Sequence, residues 1–169
     1  MIALEQLIET TEDHPDRMAI KLEYSTIAKC RPEQVWQKFE KLEEWAWWNP
    51  VIGQARWLEG PRWAKGGRFL FQLTRPRMMT FKPVIIESDP PQRIAWVGTA
   101  TGFKGEHWFS FDGQPDGTTS IKTWEFLSGP LTLFMGKGTE KDIVGSYEQW
   151  LEALKFEAEK IAREEYAKS

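Results

Sequence analysis

A chain of 169 residues with a net charge of −3 is long enough for one domain with a substantial core, and its single cysteine, Cys30, excludes an intramolecular disulfide. Lys and Arg number 22 against 25 acidic residues, and no basic run exceeds two residues, so nucleic acid is not an expected partner. The two histidines lie far apart and no phosphate-binding glycine loop occurs, so we expect no metal and no cofactor.

The N-terminal region favours a cytoplasmic protein. Residues 1–17 form a polar extension, and they lack the basic start and the long apolar core of a signal peptide. His14, within this extension, is interpreted as a solvated side chain. No run of about 18 apolar residues follows, so stable membrane insertion is not expected. Residues 18–169 are expected to form a single domain, since no linker or repeat interrupts them.

The first predicted elements are a strand and a short helix. Residues 19–29 alternate between apolar and polar side chains, which predicts a half-buried strand with Tyr24 on its inner face. A helix is expected from Pro32, because proline is well tolerated at the first helical position. Cys30 precedes this helix, either as a small packed side chain or as a thiol whose pKa Arg31 lowers.

A tryptophan-rich segment, 45–48, follows the short helix and includes Trp48. Three interpretations stay open: an edge of a pocket mouth, an anchor at a lipid–water boundary, or a packed aromatic corner. Glu43 and Glu44 precede the segment and would be repelled by anionic lipids, so the anchor is the least favoured of the three.

Six further strands are predicted between the tryptophan-rich segment and the C-terminal third. Turn dipeptides at 112–113 and 116–117 fit a hairpin between the last two of them. No helix separates the strands, which is typical of an antiparallel meander. The predicted strands are 51–58, 67–74, 79–88, 93–100, 106–111 and 118–127.

The C-terminal third predicts a long amphipathic helix over 139–163. Its apolar residues recur at helical spacing in one continuous stripe, which must pack against another element. We expect the later part of the stripe to be core against the sheet and the earlier part to be a cavity wall. The core positions are Leu154, Ala158 and Ile161, and the wall positions are Ile143, Tyr147 and Trp150.

Several short patterns occur in a characteristic order along the chain. They are PEQVW at 32–36, WNP at 48–50, PVIIE at 83–87, DPP at 89–91, RIAW at 93–96, GEHWF at 105–109, GTT at 117–119, EFLSGPL at 125–131 and WLEALK at 150–155. Their order and spacing, over about residues 19–162, resemble the START-related SRPBCC superfamily in its polyketide cyclase/dehydrase-like branch. The resemblance implies an α+β helix-grip fold: a seven-stranded curved antiparallel sheet wrapped around a long C-terminal helix, with two short helices after strand 1. It also implies a hydrophobic cavity between sheet and helix.

His107 and Glu125 are the candidate polar groups of this cavity. His107 shares a strand face with Phe109, and the hairpin places Glu125 opposite His107 or one diagonal step away. Because a buried carboxylate needs a partner, an imidazolium–carboxylate pair is expected. The pair is interpreted as a structural contact, as a contact to the polar end of a ligand, or as a general acid/base pair.

Aromatic side chains on the predicted inner faces would complete the walls of the cavity, although each alone is equally typical of core packing. The full predicted ligand-binding set is His107, Glu125, Trp96, Phe109, Tyr24, Phe69, Phe71, Ile121, Thr123, Tyr147, Trp150 and Trp48.

Three functions remain open, because a fold does not fix a function. The first is binding or transport of a hydrophobic small molecule, aromatic, polyketide-like or lipid-like. The second is a cyclase or dehydratase that moves protons with His107 and Glu125. The third is a protein-interaction module of the chaperone-activator type, which an interior filled by its own side chains would favour. The oligomeric state is left open.

Overall fold

The computed structural model describes residues 19–100 and 102–169; the predicted extension 1–17, with His14, lies outside them. The described residues form a sheet, three α-helices and two short 3-10 helices at Leu42–Glu44 and Pro130–Phe134. The strands are β1 Ile20–Ala28, β2 Ile52–Glu59, β3 Arg68–Leu73, β4 Met79–Phe81, β5 Val84–Asp89, β6 Arg93–Ala100, β7 Phe103–Gly113 and β8 Thr119–Ser128, and the helices are α1 Pro32–Phe39, α2 Trp45–Trp48 and α3 Lys137–Tyr166.

The sheet is antiparallel, in the order β1-β8-β7-β6-β5-β3-β2, with β4 paired to β3. Strands β5 to β8 are neighbours in chain order, as the predicted meander requires. β1 crosses to the far side and pairs with β8, Tyr24 opposite Thr123. This pairing places the first strand beside the polar residues of β8.

The predicted strand 79–88 is two strands, β4 and β5, interrupted at Lys82 and Pro83. Both parts keep one register against β3, with Phe81 opposite Phe71 and Val84 opposite Arg68. Pro83 has no N–H to donate, so the ladder is broken there, although its carbonyl still accepts a bond of 3.3 Å from the Phe69 N–H. Seven strands therefore follow the predicted order, and β4 is a short eighth strand.

Helix α3 lies against the inner face of the sheet, where it contacts β1 and β8, and its C-terminal half contacts α1. Leu154 and Ala158 are fully buried, as predicted for the core. Each large apolar side chain buried in this way stabilises the fold by about 1.5–3 kcal/mol. Ile161 keeps part of its surface exposed at the edge of α1, so it is less buried than predicted.

The interior between sheet and helix is filled largely by contacting aromatic rings. Trp45 lies among them with no exposed surface, and its indole N–H donates to the Phe39 carbonyl at 2.7 Å. The packed corner is therefore the correct interpretation for Trp45, whereas Trp47 in the same helix is 80% exposed. The buried rings of this interior include Phe39, Trp45, Phe69, Phe71, Trp96, Phe109, Phe111 and Trp150.

Among the described residues, no helix combines the length and the apolar character needed to cross a membrane.

Candidate functional site

His107 lies at the centre of the candidate site, on the inner face of β7, with 5% of its surface exposed. It is directly opposite Glu125 on β8, as the hairpin register predicted. Aromatic rings surround the imidazole with centroid separations of 4.6 to 6.0 Å, from Phe109, Tyr147, Trp96 and Trp150. These four residues and His107 all belong to the predicted ligand-binding set.

The imidazole of His107 is neutral. Burial lowers its pKa to about 3, because a charged ring would lose its hydration in this apolar setting. Its Nε2 lies 2.6 Å from the Thr123 hydroxyl, which also lies within hydrogen-bond distance of the Trp108 carbonyl at 3.0 Å. A neutral imidazole has one nitrogen that donates and one that accepts. The expected imidazolium–carboxylate pair with Glu125 is wrong: each residue has a different partner.

The partner of Glu125 is Tyr147, whose hydroxyl donates a short hydrogen bond to Oε2. Oε1 lies over Gly105, where a Cβ would collide with it. Burial raises the pKa of Glu125 to about 7, and the bond from Tyr147 opposes that rise without cancelling it. Burial and the neighbouring carboxyl also raise the pKa of Tyr147 well above its ordinary value. This carboxyl can gain or lose a proton near neutral pH.

Glu125 belongs to a cluster of contacting residues on β7, β8 and α3. Its carboxyl bonds Tyr147 and lies over Gly105, and the His107 ring contacts Tyr147 and Trp150. Burial is the largest influence on the pKa of the carboxyl, although the residue keeps part of its surface accessible, unlike His107 and Tyr147 at 5% each. We call Glu125, Gly105, His107, Tyr147 and Trp150 the Glu125 cluster.

Trp150 contributes a donor without a partner to the Glu125 cluster. Its ring is 2% exposed and contacts His107 at 6.0 Å between centroids, and its indole N–H has no hydrogen-bond partner within residues 19–100 and 102–169. A buried donor without an acceptor costs about 1–3 kcal/mol, so such a group is typical of a site that a ligand or water completes.

Two predicted site residues point elsewhere. The Tyr24 hydroxyl donates to Glu152 on α3 at 3.1 Å, and burial together with that carboxylate raises the pKa of Tyr24 to about 12. The Trp48 ring lies under the Lys38 ammonium, 5.9 Å from it. Neither residue joins His107 in the structure.

The remaining predicted residues belong to the buried core around the site. Phe69 and Phe71 continue the aromatic interior through Trp96, with ring centroids 5.2 and 6.2 Å away. Ile121 lies opposite Phe111, two residues along β8 from Thr123 and farther from Glu125. Their contacts are those of packed core residues.

A groove of about 380 Å³ lies away from the predicted site, between α1 and the end of α3. Its walls are mainly charged, so it does not resemble a site for a hydrophobic molecule. None of the predicted ligand-binding residues contributes to it; its lining is Gln37, Lys38, Lys41, Glu157, Lys160, Ile161, Glu164, Glu165 and Lys168.

Sequence reasoning missed Gly105, which gives the Glu125 carboxyl its space. The available signal was a glycine inside a strand, two residues before His107, because such glycines often mark a close approach of another group. Cys30 is a packed side chain: it is 4% exposed, and burial raises the pKa of its thiol to about 11. Within the described residues no cluster of His, Cys, Asp and Glu could hold a metal ion.

Comparison with solved structures finds the same fold in proteins of low sequence identity. A START superfamily protein from Mycobacterium smegmatis is 15% identical with a TM-score of 0.70, and the match covers 83% of this chain and 98% of that one. A hypothetical protein, jhp0584, from Helicobacter pylori is 16% identical with a TM-score of 0.72, covering 91% and 96%. The Zhui aromatase/cyclase from Streptomyces sp. R1128 is 14% identical with a TM-score of 0.68, covering 83% and 94%. At these identities the likeness establishes the fold.

Comparison with curated proteins finds no match. The family described as polyketide cyclase / dehydrase and lipid transport matches residues 19–159, which is most of the chain. That match, with the antiparallel sheet around α3, confirms the resemblance found in the sequence. The chain therefore belongs to the polyketide cyclase / dehydrase and lipid transport family of the START-related SRPBCC superfamily.

Proposed function

We propose that the protein binds a hydrophobic, ring-bearing small molecule between the sheet and α3, with the polar end of that molecule at the Glu125 cluster. The observation that carries the proposal is the placement of three polar groups, Glu125, Tyr147 and His107, inside an aromatic interior. Aromatic walls with a few convergent polar groups are typical of small-molecule sites. The family description, which names both polyketide chemistry and lipid transport, supports a hydrophobic ligand.

Mass spectrometry of the purified native protein tests this proposal directly. We expect a co-purified hydrophobic molecule to leave the wild-type protein on denaturation. His107→Ala removes the imidazole that contacts Tyr147 and Trp150, so it should lower the bound fraction. Phe156→Ala, which changes a side chain 63% exposed on α3, serves as the matched control and should retain the molecule. Equal occupancy in wild type and His107→Ala would contradict the proposed position of the polar end.

A second candidate function is a cyclase or dehydratase. The observation that favours it is the Glu125 pKa of about 7, since a general acid or base works best when its pKa is near the working pH. His107 lies opposite it as a neutral imidazole, and its pKa of about 3 makes it a weak base at neutral pH. Loss of turnover in Glu125→Gln with substrate binding retained would support this function, and unchanged turnover would rule out Glu125 as the acid or base.

A third candidate is a protein-interaction module of the chaperone-activator type. The interior of contacting aromatic rings favours it, because a module of this type needs no ligand cavity. Under this function the purified protein would carry no hydrophobic molecule, and ring-bearing ligands would not bind at a one-to-one ratio. Substitutions at His107 and Glu125 would then change stability alone.

A further inference from the structure

Separately from the proposed ligand site, we infer that one end of the sheet docks reversibly on an anionic lipid surface. This end comprises the turn between β3 and β4, residues 74–78, and the 3-10 helix Pro130–Phe134, and we call it the loop end. Three of its properties point to a lipid surface: exposed apolar side chains, cations without ion-pair partners and a protruding shape.

The turn between β3 and β4 extends beyond the end of β6. Val84 of β5 lies opposite Val97 of β6, and the Phe81 ring of β4 lies 3.6 Å from where a Cβ on Gly98 would stand. The chain before Phe81 therefore continues along β6 toward Ala100, and the turn at 74–78 lies past it.

The 3-10 helix Pro130–Phe134 lies at the same end of the sheet. It follows β8, whose Ser128 is opposite Lys104 near the start of β7. The Leu131 N–H donates to the Gly102 carbonyl at 3.2 Å, and the Leu131 side chain occupies the space that a Cβ on Gly102 would need. Strands β8 and β3 are four strand spacings apart, which is roughly 20 Å. The two segments can therefore touch one surface together.

The loop end exposes large apolar side chains. Met78 in the turn is 73% exposed, and Leu133 and Phe134 in the 3-10 helix are 69% and 83% exposed, with Leu131 beside them at 41%. Grouped apolar side chains of this kind mark a contact surface for a protein or a membrane. Each of them stands on a turn or on a single short helix, so the group projects from the fold.

Cations accompany these apolar side chains. The segments 74–82, 102–105 and 128–138 contain five basic residues and no Asp or Glu, and acidic residues resume at Glu106 and Glu140. All five are exposed, and none forms an ion pair within residues 19–100 and 102–169. Because the whole chain has a net charge of −3, the rest of it carries −8. The five cations are Arg75, Arg77, Lys82, Lys104 and Lys137.

An anionic bilayer matches both features at once. Its negative headgroups attract cations, and each Lys or Arg near the surface strengthens binding by about fivefold. The apolar side chains can then enter the boundary between headgroups and acyl chains, about 5–10 Å deep. A folded protein partner would instead need a cavity for each projecting side chain. Nucleic acid would satisfy the cations and leave the apolar side chains in water.

Vesicle binding by the full chain, measured by co-sedimentation, tests the inference. Vesicles of phosphatidylcholine with about 30% phosphatidylserine should bind at least about tenfold tighter than vesicles of phosphatidylcholine alone. Raising the salt to about 1 M should remove this difference, because the Debye length is then only about 3 Å.

A pair of apolar variants locates the docking surface. Leu133→Ala combined with Phe134→Ala should weaken binding to the anionic vesicles by at least about tenfold, since two apolar side chains no longer enter the bilayer. Phe156→Ala is the matched control and should bind like wild type. Phe156 is 63% exposed and lies roughly 28 Å along α3 from the start of that helix.

A pair of charge variants tests the role of the cations. Arg75→Gln combined with Arg77→Gln should weaken binding to the anionic vesicles by about thirtyfold. Lys160→Gln combined with Lys168→Gln removes the same charge from the groove between α1 and the end of α3, and should change binding by less than about twofold. Every altered side chain is exposed, so all four variants should keep the wild-type melting temperature.

Three outcomes would overturn the inference. The first is absence of binding to both kinds of vesicle, and the second is an equal loss of binding in a variant and its control. The third is a dimer, seen by light scattering, that Leu133→Ala with Phe134→Ala abolishes while vesicles do not bind, because the surface would then belong to a second copy of the chain. None of these results bears on the proposed function, which is judged by the co-purified molecule.

Discussion

The Glu125 carboxyl occupies the space that a side chain at position 105 would fill. A Cβ on Gly105 would collide with Oε1 of Glu125, while Oε2 holds the Tyr147 hydroxyl. The glycine is required for room, since its backbone does not lie in the left-handed region. The Glu125 carboxyl therefore keeps its position because residue 105, on the neighbouring strand, is a glycine without a side chain.

Gly105→Ala is expected to displace the Glu125 carboxyl and to break its bond with Tyr147. The cost should be about 1–3 kcal/mol in the free energy of unfolding, as for other overpacked sites. Urea denaturation measures it.

Gly145→Ala is the matched control for this change. Gly145 lies inside α3 with open space where its Cβ would stand, so alanine should stabilise the helix by up to about 1 kcal/mol. Equal effects of the two alanines would show that Gly105 makes no special room.

Two positions near the middle of α3, Tyr147 and Leu154, are expected to respond differently to truncation. Leu154→Ala removes a fully buried side chain and should cost about 2–5 kcal/mol. Tyr147→Phe keeps the ring and removes the donor to Glu125, so it should cost only about 1–3 kcal/mol while weakening ligand binding. Thermal melts of both variants measure the losses of stability. Calorimetric titration with a ring-bearing molecule such as 2-naphthol measures ligand binding. Comparable stability losses with unchanged binding would show that α3 is only a core helix.

The architecture could be predicted well from the sequence, because strands and helices are recognised by the periodic spacing of their apolar side chains. The alternating strand faces, the hairpin that pairs His107 with Glu125 and the apolar stripe of α3 all follow from side-chain spacing. The break at Pro83 was also readable from its missing N–H, although the prediction overlooked it.

The chemistry of the site was less accessible from the sequence, because strand spacing does not fix which of several near neighbours a polar atom bonds. His107 bonds Thr123 on the strand opposite, and Glu125 bonds Tyr147 across to α3. The bond from Tyr147 depends on the distance between sheet and helix, and the contact with Thr123 depends on which way the imidazole turns within the sheet. No local pattern encodes either of them. The protonation states follow from burial, and burial is a property of the packed structure.

The pH dependence of stability should carry the signature of Glu125. Its pKa is raised from 4.5 to about 7 on folding, so the folded state binds the proton more tightly than the unfolded state. The stabilisation that comes from this tighter proton binding is fully present below about pH 4.5, and it is lost as the pH rises through about 7. The stability of wild type minus that of Glu125→Gln should fall over that interval, by roughly 3 kcal/mol at most. A flat difference would show that Glu125 has an ordinary pKa.

His107 should make the stability of the fold rise with pH, which is the opposite of the effect of Glu125. Its pKa falls from 6.5 to about 3 on folding, so acid protonates the unfolded state first and destabilises the fold. The stability of wild type minus that of His107→Gln should rise from about pH 3 to about pH 6.5 and then stay constant. Between pH 4.5 and 6.5 the Glu125 and His107 contributions have opposite signs, so they largely offset each other in wild type. Glu125→Gln should expose the rising slope of His107, and a variant as flat as wild type would show that the imidazole is not held neutral.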